Sequence, residues 1–166
     1  MTPVQSLCQW LYDIPVVTAL RESDDVFPIL ETVHVLGITL MVGTIATVDL
    51  RLTGCILREQ PAVRVSRALL PYTWVGFGFM LITGLPLFAA ESIKLYGNPA
   101  FRLKLLLLAL AGCNALVFHK VSWGGVVQPD RSGVVPWRAR VIAGTSLLLW
   151  LAIVVLGRLI AVFRAV

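Results

Sequence analysis

The sequence predicts an all-α integral membrane protein: a four-helix bundle running up-down-up-down, with a short N-terminal interfacial helix ahead of it. Three observations predict this. The chain is 58% hydrophobic and only 14% charged, against about 45–50% and roughly 25% in soluble domains. Its four long apolar stretches meet or approach the roughly 20 residues that cross ~30 Å of hydrocarbon. Polar links with turn chemistry separate them. A length of 166 residues suits one compact bundle.

Residues 1–26 read as an interfacial segment and residues 27–166 as the bundle. In the first, Leu7, Trp10, Leu11 and Ile14 recur at helical spacing, as in an amphipathic helix lying on a membrane surface. Pro15 follows its last turn. The polar link 21–25 then offers Asp24 or Asp25 as a cap for the next helix, and Pro28 suits that helix's first turn. The spans are expected at about 27–51, 69–90, 100–121 and 139–163. Pro71 opens the second, and Gly84 and Pro86 bend its far end, because proline removes a helical hydrogen bond. Asn98-Pro99 precedes the third. Residues 124–136 read as a loop.

Orientation follows from Lys and Arg. Arg51, Arg58, Arg64 and Arg67 lie between spans one and two. Lys120, Arg131, Arg138 and Arg140 lie between spans three and four. These links are expected in the cytoplasm, with both termini outside, in a bacterial-type inner membrane. The net charge of +5 then serves topology. No basic run interleaved with aromatics points to nucleic acid. Cys8, Cys55 and Cys113 form no CxxC pair and no disulfide framework; they read as small buried hydrophobes. No basic stretch leads into an apolar core at the start, so no cleaved signal peptide is expected. Phosphate loops, Ser-His-Asp sets and HExxH are missing, which argues against hydrolysis and nucleotide chemistry.

Ionisable groups at membrane depth usually face a bundle interior or a bound group. The first span carries four: Glu31, His34, Asp49 and Arg51. With a rise of ~1.5 Å per residue, Glu31 lies ~6 Å and His34 ~10 Å below the outer end. Lys104 and Arg158 reach ~6 and ~8 Å by the same measure, with Arg102 above them at ~3 Å. An imidazole beside cations is suited to haem, whose iron takes nitrogen and whose propionates take cations. The alternative is that the cations snorkel to the headgroups and Glu31 pairs with one of them.

The other histidine, His119, lies ~28 Å into the third span. Ala111, Gly112 and Ala115 leave a flat space beside it, for a macrocycle or a neighbouring helix. Asp49 could accept its second ring proton and fix its tautomer; alternatively, His119 is a helix-end residue among headgroups. Spans one and three run parallel, so His34 and His119 differ in depth by ~18 Å. They cannot both bind one iron. Two haems, or one haem and one structural histidine, are the consistent options. Met41 and Met80 read as core packing rather than sixth ligands. Scattered Met and Cys give copper little to bind.

The first span, with its HVLG and DLRL elements, and Phe101–His119 (FRLKLLLLALAGCNALVFH) resemble an uncharacterised family of small four-helix bacterial membrane proteins, over about residues 26–120. More distantly they resemble the superfamily of copper-resistance D proteins and haem-binding protoporphyrinogen oxidases. His34, Arg51-Leu52, Lys104 and His119 match the oxidase pattern in type and order. That resemblance implies b-type haem and redox work.

The expected function is therefore electron transfer or redox chemistry by a membrane haem b protein, with one or two haems and a quinone or porphyrin-like partner. His34 and His119 are the expected iron ligands, and Lys104, Arg158 and Arg102 the propionate partners. Glu31, Asp49 and Arg51 stand behind them. The alternative is a non-catalytic membrane subunit, or a copper-transport-related protein, packing through small-residue helix faces. On either reading, glycines in the spans suit self-association or assembly into a larger complex.

Overall fold

The computed structural model describes residues 3–121 and 135–162, without the side chains of residues 119, 121, 161 and 162. Six helices follow one another: α1 (Pro3–Tyr12), α2 (Pro15–Arg21), α3 (Val26–Thr53), α4 (Ala62–Gly97), α5 (Pro99–Val121) and α6 (Trp137–Val162). No strand occurs among the described residues. The last four helices are long and apolar enough to cross a membrane. Large apolar side chains such as Trp74, Ile82, Leu116 and Leu148 lie exposed on them. Hydrocarbon tails, not water, suit such an exterior. The protein is a multi-pass membrane helical bundle.

The N-terminal segment differs from the single helix expected. Pro15 does end the first helix, but it also opens α2 at its first turn, where its missing N–H costs nothing. Arg21 holds the two together, donating to the Tyr12 carbonyl at 3.2 Å and lying 3.7 Å from the Tyr12 ring centroid. Both short helices pack on α4. Ala89, Ala90 and Ser92 give α1 a smooth surface to approach, and Ser92 Oγ donates to the Cys8 carbonyl at 2.9 Å. Leu7 and Trp10 stay exposed on the far side of α1.

Asp25 takes the cap position of α3 but makes no side-chain cap bond. Ser23 does that work instead: its Oγ accepts from the Val26 N–H at 3.1 Å. The other end of α3 stops at Gly54, whose φ of +82° is open to glycine and strained for other residues. Arg51 closes the following turn by donating to the carbonyls of Gln60 (2.6 Å) and Arg58 (3.3 Å).

α4 is the largest departure. Its 36 residues run about 54 Å at the usual rise, well beyond the 69–90 span expected. Pro71 lies inside it and does not open it; Pro86 lies inside as well. Each proline removes one helical donor. Partners along the helix hold it through both sites: α3 along much of its length, and α1 and α2.

α3 and α4 cross without side chains between them. A Cβ on Gly76 would come within 2.7 Å of the Met41 backbone nitrogen, and one on Gly37 within 3.0 Å of Phe79 Cβ. Met41 is fully buried beside this crossing, as core packing. Thr44 and Thr73 bridge the same pair of helices at 2.8 Å. α3 also packs on α6, and α6 on α5, whereas α4 and α5 touch sparsely. Their contact includes the stacked Phe88 and Phe101 rings, 5.7 Å apart, over a cluster of Leu95, Ala100 and Ile160. Asn98 builds that corner: its Oδ1 accepts from the N–H groups of Ala100 and Phe101, and its Nδ2 donates to the Ile160 carbonyl.

Candidate functional site

His34 projects from α3 onto α4 at a notch made by Gly84. A Cβ at residue 84 would come within 2.9 Å of the imidazole Cε1, so only glycine leaves the ring its place. Sequence reading assigned Gly84 to a bend; in the structure it also seats the histidine. Next to it, Thr83 Oγ1 stands 2.9 Å from His34 Nδ1 and 2.6 Å from the Phe79 carbonyl. The Met80 backbone is also within hydrogen-bonding reach of the ring.

This pattern assigns the tautomer. A hydroxyl has one hydrogen to give, and the Phe79 carbonyl can only accept. The Thr83 hydrogen therefore goes to Phe79, and Nδ1–H donates to Thr83. In the neutral ring Nε2 then keeps its lone pair, the form in which histidine binds metals.

The neighbouring groups are partly as expected. Lys104 and Glu31 lie within electrostatic reach of His34. Lys104 is half-buried, with Nζ 3.5 Å from where a Cβ of Gly157 on α6 would sit. Glu31 and Arg158 are exposed. Arg102 is exposed and engaged locally: Nε donates to the Tyr96 carbonyl at 3.1 Å, and the guanidinium carbon lies 5.2 Å from the Tyr96 ring centroid. Arg51 and Asp49 belong to the opposite end of α3. Arg51 is buried in the α3–α4 turn, and Asp49 is buried with Ser146 of α6 as its hydrogen-bond partner.

His119 falls near the end of α5, but its side chain lies outside the described residues, and so does its pairing with Asp49. The link 124–136 lies almost wholly outside them too. Among the described residues no group of three His, Cys, Asp or Glu gathers as a bare metal site would. A Cβ on Gly157 would make only ordinary contact with Lys104 Nζ at 3.5 Å, and one on Gly43, Gly78, Gly112 or Gly144 would meet open space.

The model of a family of unknown function (DUF6644) matches residues 26–163. The chain belongs to that family. The match begins at the first residue of α3 and takes in the four long helices, with α1 and α2 ahead of it. The His34–Thr83–Gly84 arrangement thus lies inside the DUF6644 region. No curated protein matches the chain, and no solved structure does.

Sequence reading missed Thr83 and Ser146, and named Asn98 only as preceding the third span. The available signal was a small polar residue inside an apolar span; Thr83-Gly84, close to Pro86, combines that with a gap for a neighbour's side chain.

Proposed function

We propose that this protein is a membrane haem b protein working in electron transfer, with His34 as an iron ligand. The observation that carries this reading is the hydrogen bond from His34 Nδ1 to Thr83, which leaves the lone pair of the neutral ring on Nε2. An imidazole oriented through its other nitrogen is how proteins prepare a metal ligand.

Lys104 supports the reading. It is a half-buried cation within electrostatic reach of His34, and it has no hydrogen-bond or ion-pair partner among the described residues. A propionate would supply its counter-charge. Arg158, next to Gly157, is a second cation for the same purpose. Arg102 already has Tyr96 and suits the role less. Thr83 and Gly84 orient the imidazole and set how deep it lies. Haem b supplies one-electron exchange between two iron oxidation states. The resemblance of His34, Arg51-Leu52, Lys104 and His119 to the haem-binding oxidases points the same way. The Lys and Arg distribution supports an orientation with the His34 end outside a bacterial inner membrane.

The test is an absorption spectrum of the detergent-purified protein, oxidised and then dithionite-reduced, for the native chain and for His34→Ala. A Soret band with sharp reduced α and β bands, lost in His34→Ala, is the expected result. A colourless native protein made with ample haem would remove the proposal; unchanged haem in His34→Ala would remove the ligand assignment.

A further inference from the structure

The opposite half of the bundle holds a second buried polar site. Asp49 lies fifteen residues beyond His34 on α3, about 22 Å along the axis. It is 7% exposed. Its Oδ2 is enclosed and has no hydrogen-bond partner among the described residues. Its one side-chain hydrogen bond comes from Ser146 of α6, itself 8% exposed.

Ser146 is free to face Asp49 for a specific reason. Within apolar helices a hydroxyl commonly returns its hydrogen to the carbonyl four residues back. Thr32, Thr39, Thr47 and Thr73 all do so. For Ser146 that carbonyl belongs to Ile142, and Asn114 of α5 donates to it at 3.3 Å. The Ser146 hydrogen is thereby directed to the carboxyl group, and three helices combine to hold it.

No charged side chain acts on Asp49 among the described residues; the His119 side chain of α5 lies outside them. Arg51 on its own helix is committed to the Gln60 and Arg58 carbonyls. Arg64 and Arg67 on α4, Lys120 on α5, and Arg138 and Arg140 on α6 are exposed. An enclosed carboxylate with no counter-charge among the described residues is strongly disfavoured against its protonated form. A hard metal cation takes about six or more oxygens. The side-chain oxygens converging here are those of Asp49 and Ser146, and helix carbonyls are occupied by their own bonds. A proton needs only one lone pair.

We propose that Asp49 is a proton-binding site inside the bundle, with Oδ2 taking the proton and Ser146 donating to the other oxygen. The carboxylate gains a proton from water at the nearby end of α3, four residues on at Thr53, and releases it to the same water. No electron or co-reactant is needed. The site is distinct from His34 and stands independently of haem.

The test uses the full chain in detergent with dicyclohexylcarbodiimide, which adds to protonated carboxyl groups in apolar surroundings. Adducts are mapped by peptide mass spectrometry from mildly acidic to mildly alkaline pH. The expected result is an adduct on Asp49 whose yield falls as pH rises, with none at that position in Asp49→Asn. Ser146→Ala shifts the midpoint of the fall. No Asp49 adduct at any pH, or a yield that ignores pH, overturns the proposal. The native profile alone decides if Asp49→Asn fails to fold.

Discussion

The Thr83 hydroxyl gives its one hydrogen to the Phe79 carbonyl and takes another from His34 Nδ1. One threonine on α4 therefore decides which nitrogen of a histidine on α3 is available. The relationship spans 49 residues of sequence and exists only because α3 and α4 approach so closely.

Replacing Thr83 with Val keeps the shape and removes the acceptor. His34 then loses its orienting partner. Such changes behind a metal ligand typically cost about 10–100-fold in affinity. Haem titration of Thr83→Val should show a loss of that order, and an unaltered affinity would mean that the hydroxyl does not prepare the ligand.

Two glycine substitutions should behave differently although they look alike. In Gly84→Ala the new methyl meets the far end of the His34 side chain, which can swing aside at little cost in stability. In Gly76→Ala it meets the Met41 backbone at 2.7 Å, which cannot. We expect Gly76→Ala to destabilise by about 1–3 kcal/mol, as overpacking does, and Gly84→Ala to lose haem while melting nearly as the native chain does. Thermal unfolding followed by circular dichroism, with haem content alongside, separates the two.

Ser92→Ala tests how α1 is held. Removing the bond from Ser92 Oγ to the Cys8 carbonyl costs about 1 kcal/mol. Local opening of α1 should then rise by about five-fold. Cys8 is buried, whereas Cys55 and Cys113 are exposed, so the rate of Cys8 alkylation relative to the other two reports the opening. An unchanged ratio would show that α1 is held by its apolar contacts alone.

Asn98→Ala removes the cap of α5. The side chain serves two N–H groups of the first turn and one carbonyl of α6. A loss of about 1 kcal/mol is expected from the cap, read as a lower melting temperature. Asn98→Asp keeps the accepting oxygen and should restore most of it; equal losses would place the value in the link to Ile160.

The helices themselves were legible in the chain because their cause is local. Hydrocarbon demands long apolar runs with internally satisfied backbones, and those runs stand in the sequence around 27–51, 69–90, 100–121 and 139–163. The cap Ser23 and the extension of α4 to Ala62–Gly97 were not legible. Caps compete among neighbouring polar residues, and a proline breaks a helix only where nothing else holds it.

His34 and Lys104 were also readable, since an ionisable residue in an apolar run is conspicuous by itself. Composition and spacing thus determined by themselves that the chain is a four-span membrane bundle with few polar groups at depth. Only the tertiary structure decided what those groups do. Whether His34 meets Thr83, whether Lys104 meets Gly157 and whether Asp49 meets Ser146 all depend on helix rotation and register. Glycine contacts such as Gly37 and Gly76 set those, through distances of an ångström that no residue carries on its own.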